Sequence, residues 1–161
     1  MILLDEWADS SRSDAQNLNA LIEHLAKGLG GGDIGLGART HLIDEPIVLR
    51  SGVRLRGEGA MATRLAATPA LDGPLILSHR GESLKGRKAW LVTEGVPVRF
   101  AIFDLLIDGS DGVASSGFMA GVGAYLYGKG FEICGVQISN MKGPGLVSEG
   151  PMRGGAGKLA R

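Results

Sequence analysis

The 161-residue sequence is 44% hydrophobic and 21% charged, which is the balance of one globular domain with its own core and excludes intrinsic disorder. Its 17 basic and 17 acidic residues cancel, so the chain lacks the positive field that nonspecific nucleic-acid binding needs, and no nucleic-acid partner is expected. The single cysteine excludes an intramolecular disulfide, and no apolar window reaches the length of a signal peptide or a membrane span, so no membrane partner is expected.

The first predicted element is an amphipathic helix over residues 13–28. Apolar side chains recur there at the spacing of one helical face, namely Leu18, Leu21, Ile22 and Leu25. Ser13 is a favourable N-cap, and Gly28 is the residue type that commonly follows the last helical turn. The pattern therefore predicts a helix with one apolar face that must pack against the rest of the chain.

After the helix, the sequence changes to short strand-like runs between glycines. Glycine contributes 27 of the 161 residues, and the runs that it brackets are aliphatic, unlike flexible linkers. The runs alternate apolar and polar residues, as strands with one buried face do, and they cover residues 33–36, 41–43, 47–49, 53–56, 64–66, 75–77, 100–108, 125–127, 131–133 and 136–138. Similar strand ends recur at intervals of one or two solenoid coils, at Leu55-Arg56-Gly57, Ile107-Asp108-Gly109 and Ile138-Ser139-Asn140. The sequence therefore predicts stacked β-coils.

Residues 14–65 resemble the opening of β-helices of the pectin-lyase-like type, in particular the pectate-lyase-3-like and phage tailspike-type members. In those proteins an aspartate-led helix is followed by a glycine pair, a strand, a small-residue turn and a motif ending in Gly-Glu-Gly. The matching residues here are Asp14, Gly31-Gly32 and Gly57-Glu58-Gly59. The resemblance implies an all-β fold, a right-handed single-stranded parallel β-helix with an N-terminal capping helix. Because active members generally need more coils, it also implies a truncated chain.

The same pattern predicts one β-helix domain over residues 1–161. Its parts are the capping helix (13–28), the first coils (33–78), a protruding loop (79–98), later coils (99–150) and a flexible tail (151–161). The loop is predicted from its many charges and its chain-breaking glycines and proline. Protruding loops of solenoids usually carry the function.

The resemblance further implies a polysaccharide as partner. We expect part of a polysaccharide lyase or glycoside hydrolase that acts on an acidic or complex polysaccharide. The alternative is a noncatalytic β-helix, either a glycan-binding module or a structural and assembly module of the tailspike kind. In that case exposed coil faces or ends would pair with other copies, giving a homo-oligomer such as a trimer.

Hydrolysis of a polysaccharide needs two carboxyl groups that face one cleft. The available carboxylates are Asp104, Asp108, Asp111, Glu132 and Glu149. Because equivalent positions of successive coils lie about 4.8 Å apart, carboxyls one or two coils apart can reach the required separation. Asp108 and Asp111 are the first predicted catalytic pair, and Glu132 is a further catalytic candidate. Aspartate before glycine is also ordinary turn chemistry, so a structural role of Asp108 stays open.

A lyase needs a base and a cation that neutralises the uronate carboxylate, commonly calcium. Arg99, Lys129 and Lys142 are candidate bases. Arg99 and Lys129 are also predicted to bind substrate, together with Trp90, which would stack on a sugar ring. No acidic cluster has calcium-ligand spacing, so no metal ligand is assigned, and calcium is expected only for a lyase.

Two further residues are predicted to be structural. Asn140 stands at a strand end, where asparagine tolerates the left-handed backbone conformation and can hydrogen-bond along the axis to its counterpart in the next coil. Cys134 lies in an apolar run and is predicted to be a core residue.

Overall fold

The computed structural model describes residues 1–78, 98–109, 121–149 and 158–159. In chain order its elements are β1 (Ile2–Leu3), α1 (Leu4–Trp7), α2 (Asp14–Gly28), β2 (Gly32–Gly35), β3 (Thr40–Ile43), β4 (Ile47–Leu49), β5 (Val53–Arg56), β6 (Arg64–Ala67), β7 (Ile76–Ser78), β8 (Ala101–Phe103), β9 (Leu106–Asp108), β10 (Ala124–Tyr127), β11 (Glu132–Cys134), β12 (Gln137–Ser139), β13 (Leu146–Glu149) and β14 (Lys158–Leu159).

The strands form three sheets. Sheet A has the order β1-β2-β5-β8-β11-β14, sheet B has β3-β6-β9-β12, and sheet C has β4-β7-β10-β13. Every strand pair that the structure describes is parallel. From β2 onward the chain visits sheets A, B and C in this order on each turn, so successive coils stack. This is a parallel β-helix, and the fold class predicted from the sequence is confirmed.

Side chains that point inward stack in register along the helix axis. In sheet A the aligned inner positions are Ile34, Leu55, Ile102 and Ile133, and all are buried. Just before β8 and β11, Phe100 and Phe131 stack with their ring centroids 5.3 Å apart. Burial of each such side chain stabilises the fold by about 1.5–3 kcal/mol. The core is therefore a set of apolar ladders that link each coil to the next.

The Gly-Glu-Gly motif after β5 is explained by the approach of the next coil. A Cβ atom on Gly57 would lie 2.3 Å from the carbonyl oxygen of Asp104 and 2.9 Å from the Cβ of Thr63. Gly57 also donates its N–H to the carbonyl of Phe103 at 2.9 Å. Only glycine fits at so close a contact. The motif therefore has a structural cause in this chain.

The predicted helix is present as α2, and it seals the first coil. Its buried face includes the four periodic residues Leu18, Leu21, Ile22 and Leu25. Ser13 accepts a hydrogen bond from the Gln16 N–H while the Gln16 side chain accepts one from the Ser13 N–H, so the helix begins in a capping box. The helix covers the apolar end of the coil stack.

Side chains of α2 also satisfy the first edges of sheets B and C. The Leu42 N–H of β3 donates to Asp14 Oδ2 at 3.0 Å, and the Val48 N–H of β4 donates to Asn19 Oδ1 at 2.8 Å. Asn19 Nδ2 donates in turn to the carbonyl of Pro46 at 3.0 Å. The first edge of sheet A is extended by β1. Because open strand edges recruit other strands, these contacts protect the N-terminal end of the stack.

We expect Asn19→Ala to lower the free energy of unfolding by about 1–3 kcal/mol, because it leaves the Val48 N–H without its acceptor. Urea denaturation followed by circular dichroism measures this change. Lys27→Ala, at an exposed position of the same helix, serves as the control and should change stability little. Equal stability of the two variants would show that Asn19 does not seal the edge.

The predicted division of the chain stays a prediction. The loop at 79–98 and the tail at 151–161 lie almost entirely outside the described residues. Within the described part, no helix has the length and apolar character needed to cross a membrane.

Candidate functional site

The outer faces of the three sheets differ in what they offer a ligand. The outer face of sheet C carries Leu77, Tyr125 and Tyr127, which alternate along their strands with core residues. All three side chains are nonetheless buried. This face does not offer the described side chains to a large ligand.

The outer face of sheet B carries Asp108, the first predicted catalytic residue. Its Oδ2 accepts a hydrogen bond from Arg64 Nε at 2.8 Å, and its Oδ1 accepts one from Asn140 Nδ2 at 3.0 Å. The Asp108 side chain is 7% exposed and that of Arg64 34%. Both carboxylate oxygens are thus engaged by neighbouring coils, an arrangement that favours a structural clamp over a group that meets a substrate.

Asn140 has the backbone conformation predicted for it, with φ at 57°. Its side chain also bonds along the axis, as expected, but the partner is the carboxylate of Asp108 and not another asparagine. Ser139 of β12 is in register with Asp108 of β9, so Asn140 directly follows the neighbour of Asp108 on the next coil.

The outer face of sheet A is charged and open to solvent. We define the basic face as Arg54, Arg56, Arg99 and Lys129, all of them exposed. Arg54 and Arg56 point outward from β5, between the buried Val53 and Leu55. Arg99 lies in the turn that leads into β8, and Lys129 lies in the turn that leads into β11. The four cations therefore lie on three successive coils, two of them on a strand of sheet A and two in the turns that lead into its next strands.

Arg56 is held in place by an aromatic ring and a carboxylate. Its guanidinium carbon lies 4.5 Å from the ring centroid of Phe103, the residue in register with it on β8. Its Nη1 lies 3.7 Å from Asp104 Oδ2. Such a cation–π contact at an exposed site contributes about 0.5–1 kcal/mol. Arg54 forms an ion pair with Asp33 of β2. A guanidinium carries five N–H donors, so both arginines keep donors for a ligand.

Arg99 has a left-handed backbone, with φ at 57°. The neighbouring coils place glycines with positive φ at the matching turn, Gly52 and Gly130. The turns are joined by hydrogen bonds from Gly52 N–H to the Val98 carbonyl and from Arg99 N–H to the Lys129 carbonyl, each 3.0 Å long. The left-handed conformation costs a non-glycine residue about 1–2 kcal/mol. Arginine at a position that favours glycine therefore points to a role of its side chain.

Glu132, the other described catalytic candidate, lies on sheet A. It is the first residue of β11 and aligns with Ala101, which in turn aligns with Arg54. Two strand spacings of about 4.8 Å separate Glu132 from Arg54. Glu132 and Asp108 thus lie on different sheets and do not face one cleft. Asp111 and Trp90 lie outside the described residues, as does the side chain of Glu149.

The structure contradicts the prediction for one residue and adds two residues to the candidate site. Cys134 was predicted to be in the core, but it lies on the outer face of sheet A, in register with Phe103 and half-buried, so this prediction is wrong. Arg54 and Arg56 were not predicted to bind substrate. The signal was present, because the alternation over residues 53–56 indicates that both arginines face water.

The described residues do not fit calcium. This ion takes about six to eight oxygen ligands, most of them from carboxylates and carbonyls. Among the residues that the structure describes, no group of three or more His, Cys, Asp or Glu side chains could hold a metal ion. The candidate carboxylates Asp108 and Glu132 are on different sheets.

Comparison with known proteins shows the fold alone. No family model matches the sequence. No curated protein matches it either. Among solved structures, the chain is similar to the A-modules of two mannuronan C-5 epimerases from Azotobacter vinelandii. The AlgE4 module gives a TM-score of 0.67 at 17% identity over 93% of this chain, and the AlgE6 module gives 0.64 at 17% identity over 93%. The chain spans 42% and 41% of those two structures.

Proposed function

We propose that this chain is part of a carbohydrate-active β-helix protein of the pectin-lyase-like type, and that its basic face binds an acidic polysaccharide. The observation that carries the proposal is the exposed set of Arg54 and Arg56 on β5, Arg99 in the turn before β8 and Lys129 in the turn before β11. The names of the two similar structures, which describe epimerases of mannuronan, support a polysaccharide as the ligand class.

The spacing of the basic face suits a chain of repeated carboxylates. Arg54 and Arg56 are two residues apart on one strand, about 6.6 Å, while adjacent coils are about 4.8 Å apart. Arginine donates to a carboxylate through two parallel N–H groups, which makes the contact directional as well as charged. An extended polyanion that crosses β5 and the turns leading into β8 and β11 would meet a cation on each coil. The Phe103 ring beside Arg56 fixes the direction of that guanidinium.

The catalytic assignments remain proposals. As a lyase, the protein would use Lys129 or Arg99 as base and Arg54 and Arg56 to neutralise the uronate carboxylate. As a hydrolase, it would need a second carboxyl facing Glu132, or a partner for Asp108 such as Asp111. A noncatalytic glycan-binding module needs only the basic face. A homo-oligomer stays a proposal that sedimentation would test.

The double variant Arg54→Gln/Arg56→Gln should weaken binding of an acidic polysaccharide by at least about tenfold, because charge-assisted hydrogen bonds contribute about 1.5–3 kcal/mol each. Affinity electrophoresis or calorimetry with polygalacturonate and alginate measures the change. The matched control is Arg12→Gln/Lys27→Gln, which removes the same charge from the capping region and should leave binding unchanged. Equal losses in both double variants would reduce the effect to net charge and contradict a specific site.

The type of activity is tested with the same polysaccharides. New reducing ends together with the ultraviolet absorbance of unsaturated uronates identify a lyase. Reducing ends without that absorbance identify a hydrolase. Binding without new ends supports the noncatalytic module. If the protein neither bound nor cleaved any of the acidic polysaccharides, the proposed function would be overturned.

A further inference from the structure

A histidine is buried beneath the helical cap. His41 is 1% exposed and points inward from β3, in register with Leu65 of β6. Its Nε2 lies 3.3 Å from the carbonyl oxygen of Gly37. Its Nδ1 is buried and has no hydrogen-bond partner among the described residues. A neutral imidazole leaves only an acceptor unsatisfied there, whereas a charged imidazole would bury an N–H donor without an acceptor.

The turn before β3 connects this histidine to both helices. Arg39 donates to both carboxylate oxygens of Asp14 in α2, at 2.9 and 2.8 Å, and to Asp5 Oδ1 in α1, at 2.7 and 3.1 Å. On the inner side, the Gly37 carbonyl also accepts a hydrogen bond from Thr63 Oγ1 at 3.1 Å. We define the cap latch as Asp5, Asp14, Gly37, Arg39 and His41. It joins α1 and α2 to the first coil.

The charges that face His41 come from three elements. They are Arg39 of the turn, Asp14 of α2 and Asp5 of α1. Burial lowers the pKa of His41 below its ordinary value and the Arg39 cation lowers it further, against smaller opposite effects of the Gly37 hydrogen bond and the two carboxylates. Hydrogen bonds from Arg39 lower the pKa of both Asp5 and Asp14.

We propose that His41 makes the N-terminal cap acid-sensitive. Protonation of its imidazole places a charge with an unpaired N–H under the turn, beside the Arg39 cation, and loosens the cap latch. The cap then detaches from the first coil before the carboxylates of the latch are protonated. The edges of β3 and β4 that Asp14 and Asn19 cover are exposed in this state.

The pH window follows from the directions of the shifts. The unfolded chain takes up a proton at histidine more readily than the folded chain, so the contribution of His41 is complete above about pH 6.5 and is lost as the pH falls below it. The contribution of Asp5 and Asp14 is present above their ordinary pKa of 3.8 and is lost only as the pH falls further. A loss of stability between about pH 6.5 and pH 3.8 therefore reports on the protonation of histidine.

The test compares urea unfolding of the whole chain at about pH 7.5 and about pH 5. In the wild type the unfolding equilibrium constant should rise on acidification, by up to about tenfold for each unit by which the His41 pKa is lowered. His41→Leu, which matches the aligned Leu65, should remove this rise. His24→Gln, at an exposed position of α2, should keep it. An unchanged pH dependence in His41→Leu overturns the proposal.

Two measurements on the wild type keep the proposal testable if His41→Leu does not fold. Nuclear magnetic resonance titration of the His41 ring should give a pKa below the ordinary histidine value, and a value at or above it overturns the proposal. Amide hydrogen exchange should show that the Leu42 and Val48 N–H groups lose protection on acidification before the Leu55 and Ile102 N–H groups do. Simultaneous loss at all four would contradict local opening of the cap. Neither measurement needs a polysaccharide.

Discussion

Leu21→Ala is expected to lower the free energy of unfolding by about 2–5 kcal/mol, the range for truncation of a fully buried leucine. Leu21 is completely buried in the face of α2 that closes the first coil. Its truncation leaves a cavity between the cap and the ends of the apolar ladders. Because each coil of a solenoid contacts only its neighbours, the first coil depends for cover on α2, together with the short elements β1 and α1 at the same end.

Urea denaturation followed by circular dichroism measures the effect of Leu21→Ala. Lys27→Ala is the control on the same helix, since the Lys27 side chain is 69% exposed and its i,i+4 pair with Glu23 contributes little. A stability loss below about 0.5 kcal/mol is expected for the control. If Leu21→Ala were as stable as Lys27→Ala, α2 would not close the coil stack.

Asp108→Ala is expected to cost about 2–4 kcal/mol of stability, because removing one partner of a buried ion pair leaves the other uncompensated. The estimate lies below the value for a fully buried pair, since Arg64 is partly exposed. The variant also removes the hydrogen-bond acceptor of Asn140, a residue with a left-handed backbone. The expected result is a less stable protein with its polysaccharide binding unchanged wherever it remains folded.

Asp72→Ala is the matched control for Asp108→Ala. Asp72 also stands before a glycine, but it is exposed, so its replacement should change stability by less than about 0.5 kcal/mol. Thermal unfolding, polysaccharide binding and polysaccharide turnover are measured for both variants. Unchanged stability of Asp108→Ala together with lost turnover would assign Asp108 to catalysis and refute the structural role.

The helix and the coils could be predicted because their signals are local. The spacing of Leu18, Leu21, Ile22 and Leu25 depends on one helical face, and the alternation in residues 53–56 depends on one strand. Both patterns persist in the structure, because the inner positions of each strand must be apolar for the coils to stack.

The contacts of the candidate site could not be predicted, because they join distant coils. Asp108 meets Arg64, 44 residues earlier, and Asn140, 32 residues later. Whether residues so far apart in the sequence meet depends on the lengths of the turns between them, and the hydrophobic pattern does not determine those lengths. The hydrogen-bond partners of Asp108 therefore could not be identified from the sequence. For Cys134, an apolar run was interpreted as wholly inward, although alternate residues of a strand point outward.

Which residues form the basic face could not be predicted for the same reason. Arg99 and Lys129 were predicted to bind substrate individually, and Arg54 was seen only as the polar half of an alternation. The parallel pairing of β5, β8 and β11 stacks their coils, and the turns that contain Arg99 and Lys129 therefore lie next to the start of β5. A sequence does not show which strands are adjacent in a solenoid until the coil length is known.

The binding of an acidic polysaccharide to sheet A is tested most directly by mapping amide chemical shifts during titration with a short polygalacturonate or alginate oligomer. We expect the perturbed amides to lie on β5, on the turns that contain Arg99 and Lys129, and on β11, and we expect salt to weaken the effect. Perturbations centred on Asp108 of sheet B or on Tyr125 of sheet C, with sheet A unaffected, would contradict it.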